Sequence, residues 1–86
     1  MTYKVIVSSS AQRSLRRLPP KAYFAVADFI ARVLPESPYR VGKPLTGRLD
    51  GLLSARVQIH RILYAVDEGT VTVEVLRVGH RSDVYG

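Results

Sequence analysis

The run LSARVQIHRILYAVDEGTVTVEVLRV, Leu53 to Val78, decides the fold. Leu53, Ala55, Val57 and Ile59 alternate with Ser54, Arg56 and Gln58, a period of two that predicts a half-buried strand. Arg61 to Val66 reads as a second strand. Asp67-Glu68-Gly69-Thr70 supplies a turn, and Val71 to Val78, mostly apolar, predicts a third, central strand. If the first pair closes on a short turn around Gln58 and Ile59, Arg56 stands directly opposite Arg61 on one face. Like charges in that position cost stability, and a bound anion relieves them. Different register would instead let both guanidiniums splay into water.

Outward from this hairpin the pattern changes. Tyr3 to Val7 is short and β-branched, and predicts an opening strand. Ser9 with Gln12 fits a capping box, followed by a helix from Ser10 to Arg17 with Ala11, Leu15 and Leu18 along one side. Pro19-Pro20 ends it and starts the next. Between Lys21 and Leu34, residues Ala22, Val26, Phe29, Ile30, Val33 and Leu34 form a helical stripe, with Asp28 and Arg32 off it. Pro35 closes that helix, and Glu36 to Gly51 reads as a loop bearing Arg40, Lys43 and Arg48. The order β-α-α-β-β-β predicts an α+β fold. In it an antiparallel sheet carries an N-terminal helical hairpin on one face and leaves the other open for function. One domain is expected over residues 1–86.

Composition narrows the partners. The chain has 86 residues, 47% of them hydrophobic, which excludes a disordered tail. No apolar run approaches the roughly 20 residues that cross a bilayer, and the N-terminus lacks a signal-peptide pattern. With no cysteine there is no disulfide framework, and a cytoplasmic protein is expected. The net charge is +6, from 13 Lys and Arg against 7 Asp and Glu. Arginines outnumber lysines ten to three. A planar guanidinium engages two phosphate oxygens at once, so RNA or DNA is the expected partner.

Candidate site residues follow from residue type. Arg56 and Arg61 share the hairpin. Val78-Gly79-His80-Arg81-Ser82-Asp83-Val84-Tyr85-Gly86 ends the chain on a proton carrier, a cation and a phenol, where an idle terminus is usually featureless. His80 is either a proton donor or acceptor, or a polar residue past a strand end. Tyr85 either contacts a base or ribose, or covers the core edge. His60, at the hairpin tip, reads as a surface or stacking residue, and Tyr64 as core. Arg40, Lys43 and Arg48 are candidates for a polyanion backbone. Two histidines without cysteines or clustered carboxylates make a poor metal site, so neither metal nor cofactor is expected. Glycine-rich phosphate loops, nucleophile elbows and paired catalytic carboxylates are absent.

Several short segments together carry a resemblance. Tyr3-Lys4-Val5, Leu15-Arg16-Arg17-Leu18-Pro19, Arg40-Val41-Gly42-Lys43-Pro44-Leu45, Ser54-Ala55-Arg56, Arg61-Ile62-Leu63-Tyr64 and the closing Val78 to Tyr85 span nearly the whole chain in order. In these the chain resembles the RelE/ParE superfamily of type II toxin–antitoxin toxins, nearest its RelE branch in actinobacteria. The resemblance implies a microbial RNase-like fold and a metal-independent endoribonuclease that cuts mRNA in the ribosomal A site. There the 2′-hydroxyl attacks the adjacent phosphate, leaving a 2′,3′-cyclic phosphate and a 5′-hydroxyl.

By position, Arg56 matches a basic residue at the scissile region and Arg61 the arginine that stabilises the transition state. Arg81 or His80 matches the donor to the leaving oxygen, and Tyr85 the terminal tyrosine that positions the nucleotide. Arg40, Lys43, Arg48 and His60 are the expected RNA contacts. The resemblance also implies a cognate antitoxin, RelB-like or Phd/YefM-like, with DNA bound only indirectly through the complex. Ser54 departs from the pattern, which usually places a lysine there, and Gln58-Ile59-His60 replaces a turn with glycine and an aromatic. A ParE-type gyrase inhibitor without catalysis is the alternative; the set Arg61, Arg81 and Tyr85 favours the nuclease.

Overall fold

The computed structural model describes residues 2–80. The sheet is built from β1 (Lys4–Val7), β2 (Gly42–Pro44), β3 (Leu53–Val57), β4 (His60–Asp67) and β5 (Thr72–His80). Its order is β1-β5-β4-β3-β2. Two helices, α1 (Ser9–Arg16) and α2 (Pro20–Asp28), precede β2. The α+β class and the helical hairpin on one face are as expected. Two details differ. The sheet is mixed, because β1 pairs parallel with β5, and the segment read wholly as loop contributes the short edge strand β2 and a 3₁₀ turn at Gly47–Leu49. The middle strand is β4, with β5 interior beside it.

Helix α1 begins one residue earlier than its capping pattern suggests. Ser8, not Ser9, is the cap: its Oγ accepts from the Ala11 N–H at 3.1 Å and donates to the Leu76 carbonyl at 2.9 Å. Gln12 reaches back to the Val7 carbonyl at 2.9 Å. One serine therefore starts the helix and fastens it to β5.

Helix α2 passes directly into a π turn at Phe29–Val33, with the Leu34 N–H bonded to the Phe29 carbonyl at 2.8 Å. The buried positions Ala22, Val26, Ile30 and Leu34 recur every four residues, slightly more than an α-helical turn. The wider π turn corrects the drift and keeps Leu34 inward. Phe29 is partly buried, and Val33, placed on the stripe by its spacing, is 39% exposed.

The core lies between these helices and one face of the sheet. Ala11, Val26, Ile30 and Leu34 meet Leu53, Ala55, Ile62, Tyr64, Val73, Val75 and Val78. A bulge sets this pattern on β5: Leu63 pairs with Arg77 and Tyr64 with Val75, so Leu76 is the extra residue. The shift brings Val78 inward and turns Arg77 to the open face. Ile59, expected inward by alternation, is 61% exposed because it belongs to the turn. No helix among the described residues is long and apolar enough to cross a membrane.

Candidate phosphate-binding site on the open sheet face

The hairpin of β3 and β4 closes on two residues, Gln58 and Ile59, with Val57 paired to His60. That register sets Arg56 directly opposite Arg61. Both side chains lie on the face away from the helices, since Ala55 and Ile62 beside them are in the core. Arg56 is exposed, and its Nε donates to the Gln58 carbonyl at 2.9 Å, which holds the guanidinium at the hairpin tip. Arg61 is partly buried, and its partner on β5 is Gly79, which has no side chain to cover it.

Two clefts meet at this pair. One, of about 210 Å³, is lined by Arg56, Ile59, Arg61 and His80. The other, of about 380 Å³, is lined by Arg40, Val41, Gly42, Lys43, Ser54, Arg56 and Arg61. Four cationic side chains expected at the site, Arg40, Lys43, Arg56 and Arg61, are thereby brought onto one surface, and His80 borders the first cleft from the end of β5. The single ion pair among the described residues is Arg32 with Asp28, at 3.4 Å and exposed. No described carboxylate pairs with Arg40, Lys43, Arg56 or Arg61. A set of guanidinium and ammonium groups without a neutralising carboxylate binds phosphate.

Arg40 and Lys43 reach this surface through one buried hydroxyl. Tyr64 is fully buried and donates to the Pro38 carbonyl at 2.6 Å, fixing the loop ahead of β2. Lys43 then pairs with Ser54 on β3. Burial pushes the Tyr64 phenol up to about 12, so it stays neutral and works as a structural donor. Ser54 and Leu63, paired on the open face, are both buried.

Two expected contacts lie elsewhere. Arg48 is exposed on the 3₁₀ turn and lines neither cleft. His60, expected at the surface, is only 9% exposed and faces the helices, because β4 alternation groups it with Ile62 and Tyr64. Arg81 and Tyr85 lie outside the described residues. Sequence reasoning missed Ile59 as a cleft wall, and Arg77, exposed on the open face. The two-residue turn was the signal for Ile59, while only the bulge reveals Arg77.

Comparison with known proteins agrees with this architecture. Residues 5–85 match the family described as the ParE toxin of type II toxin–antitoxin system, parDE. The chain is 45% identical over 85 residues to Toxin RelG of Mycobacterium tuberculosis, covering 99% of this chain and 98% of that protein. It is 41% identical over 83 residues to Toxin RelE of the same organism, covering 96% and 86%. Among solved structures, a chain of the toxin–antitoxin complex RelBE2 from M. tuberculosis superposes with a TM-score of 0.90 at 43% identity, covering 94% of this chain and all of that one. A free mutant of Escherichia coli toxin RelE shares the fold, with a TM-score of 0.77 at 24% identity over 99% of this chain and 92% of that one.

Proposed function

This chain belongs to the RelE/ParE superfamily of toxins from type II toxin–antitoxin systems, on its RelE-like branch, and from that premise we propose that it is a ribosome-dependent mRNA endoribonuclease. The observation that carries the reading is the opposed pair Arg56 and Arg61, at the junction of two clefts with no described carboxylate beside it. A fold alone has no use for that repulsion, and a phosphodiester relieves it.

The chemistry follows from charge. As the 2′-oxygen bonds to phosphorus and the bond to the 5′-oxygen breaks, the phosphorane gathers negative charge. Arg61 and Arg56 meet that charge better than they meet the ground state, which lowers the barrier. The proton leaving the 2′-hydroxyl needs an acceptor, and the 5′-oxygen needs a donor. We assign the donor to Arg81 or His80, and to Tyr85 both the positioning of the nucleotide and the assistance that passes the 2′-hydroxyl proton on to solvent. Arg40 and Lys43 hold the flanking backbone.

The donor set suits phosphate and offers no cage for a divalent cation: among the described residues no three His, Asp or Glu side chains converge. We take the reaction to need no metal and to run in the cytoplasm, where ribosomes are. The partner is a cognate antitoxin of the RelB kind, which covers the basic face and carries any contact to DNA.

Primer extension on an mRNA in stalled ribosomes tests this. Wild type gives A-site cuts, and Arg61→Ala and Tyr85→Phe lose them by about 100-fold or more. The family description carries the ParE name, which favours gyrase inhibition as the second reading. Wild type that binds its antitoxin, never cuts and blocks gyrase supercoiling establishes that reading instead.

A further inference from the structure

Arg77 owes its direction to the bulge in β5. Val73 and Val75 are buried, and unbroken alternation would send residue 77 inward after them. The extra residue Leu76 reverses the order, so Arg77 pairs with Leu63 and emerges on the open face while Val78 enters the core. The same reversal sets Gly79, with no side chain, beside Arg61. A bulge disrupts the ladder locally, and a common use of one is to re-aim a side chain next to a functional site.

Register places Arg77 diagonally from Arg61, about 7–8 Å away and within reach of long side chains. Four successive strands thus each turn one cation to the open face: Lys43 on β2, Arg56 on β3, Arg61 on β4 and Arg77 on β5. With neighbouring strands about 4.8 Å apart, that row crosses about 14 Å of sheet. One phosphate between Arg56 and Arg61 leaves Arg77 unused, whereas a chain of phosphates reaches it. Further along the face the charges are mixed, with Lys4, Asp67 and Glu74 around a separate cleft of about 600 Å³. Glu74 shares the strand and the face with Arg77, yet Arg77 is exposed and has neither ion pair nor hydrogen bond. Leu63 beside it is only 3% exposed. The stem of an arginine can cover such a neighbour, but covering it requires no unpaired charge.

We propose that Arg77 is a further RNA-binding residue, and that the bound strand crosses the sheet from β2 to β5. Arg77 then holds a phosphate on the opposite side of the scissile one from Arg40 and Lys43. The path rests on the nuclease reading for RNA as its occupant. Arg77 does not meet the reacting atoms, so it sets affinity and the length of RNA engaged, while Arg56 and Arg61 set the rate.

A 2′-O-methyl RNA hexamer, which lacks the attacking hydroxyl and stays intact, is the probe. Fluorescence anisotropy with the full chain gives its Kd across a salt series. Arg77→Ala is expected to weaken binding about tenfold at low salt, the scale of one charge-assisted contact. It is also expected to lower the slope of log affinity against log salt by about 0.7, the share of one phosphate on a single strand. Arg77→Lys keeps the charge and is expected to keep the slope. Arg13→Ala removes the same charge from an exposed position on α1, on the other side of the sheet, and is expected to bind as wild type does. Equal losses in Arg77→Ala and Arg13→Ala would reduce the effect to net charge and overturn the path. An unchanged slope in Arg77→Ala, or a hexamer that wild type does not bind, overturns it too. Wild type that cuts on ribosomes while Arg77→Ala binds normally loses the path alone. A protein that never cuts but shows the Arg77-dependent slope keeps the path and overturns the nuclease reading alone.

Discussion

The Tyr64 hydroxyl lies against Gly42, in the space a side chain at that position would occupy. A Cβ built there also stands 2.9 Å from Tyr64 Cζ and 3.0 Å from the Ser54 carbonyl oxygen. Tyr64 is fully buried and held by its bond to Pro38, so it has nowhere to retreat. Gly42→Ala is expected to cost about 1–3 kcal/mol by overpacking. For a domain of this size each kcal/mol lowers Tm by about 4–8 °C. Because β2 carries Lys43 and the loop before it carries Arg40, RNA affinity falls as well. Combining Gly42→Ala with Tyr64→Phe removes the clashing hydroxyl, and calorimetry is expected to show a loss smaller than the sum of the two single variants. Strict additivity would mean that the two residues do not compete for this space.

Tyr64 also sets an alkaline limit on the fold. Its phenol is raised from 10.0 to about 12 by burial, so the folded state holds the proton more tightly than the unfolded chain. The stability this contributes is complete below pH 10 and is lost as pH rises through about 12. A shift of that size corresponds to about 2–3 kcal/mol. Tyr39, raised to about 12, and Tyr3, also raised, both owe their shifts first to a hydrogen bond with Glu68, so they too hold their protons more tightly in the folded state. The measurement is therefore a difference. Urea midpoints between pH 9 and 12 are expected to fall more steeply for wild type than for Tyr64→Phe, and parallel slopes would remove Tyr64 from the account.

Arg56 and Arg61 predict a conflict between stability and activity. Opposed like charges destabilise a strand pair by a few tenths of a kcal/mol up to about 1 kcal/mol, and salt screens them. Wild type is expected to gain Tm as salt rises from low values, and Arg61→Ala to gain less. At low salt Arg61→Ala is expected to melt at the same temperature as wild type or slightly above it, while RNA cleavage collapses. Thermal scans across a salt series decide the matter: an Arg61→Ala protein clearly less stable at every salt concentration would make Arg61 a structural residue.

The hairpin, the two helices and the Arg56–Arg61 register were legible because each is local. A period of two, a turn of two residues and a helical stripe are written within a few positions of one another. What escaped depends on contacts across the chain. The parallel pairing of β1 with β5 joins residues about seventy positions apart, and no periodicity records it. The edge strand β2 is three residues with a proline, too short for alternation to register, and exists because Tyr64 ties its loop down. His60 was misjudged for a related reason. Its place beside the turn suggests the surface, and only the packing of α1 beside the β4–β5 pair turns that end of β4 into an interior.

The hairpin turn itself carries the last prediction. Gln58 has φ of 58°, and Ile59 has no positive φ, the arrangement of a type II′ turn whose first central residue favours glycine. A side chain in that region costs about 1–2 kcal/mol, against about 0.5–1 kcal/mol for the added freedom of glycine in the unfolded chain. Gln58 is exposed, and the bond that orients Arg56 uses its backbone carbonyl, which any residue retains. Gln58→Gly is therefore expected to raise stability by up to about 1 kcal/mol, with Arg56 still held and cleavage undiminished. Chemical denaturation with a parallel cleavage assay tests both halves. A stabilised protein with impaired cleavage would mean that the Gln58 side chain itself takes part in holding RNA. A destabilised protein would mean that this side chain contributes more to the fold than the left-handed backbone costs.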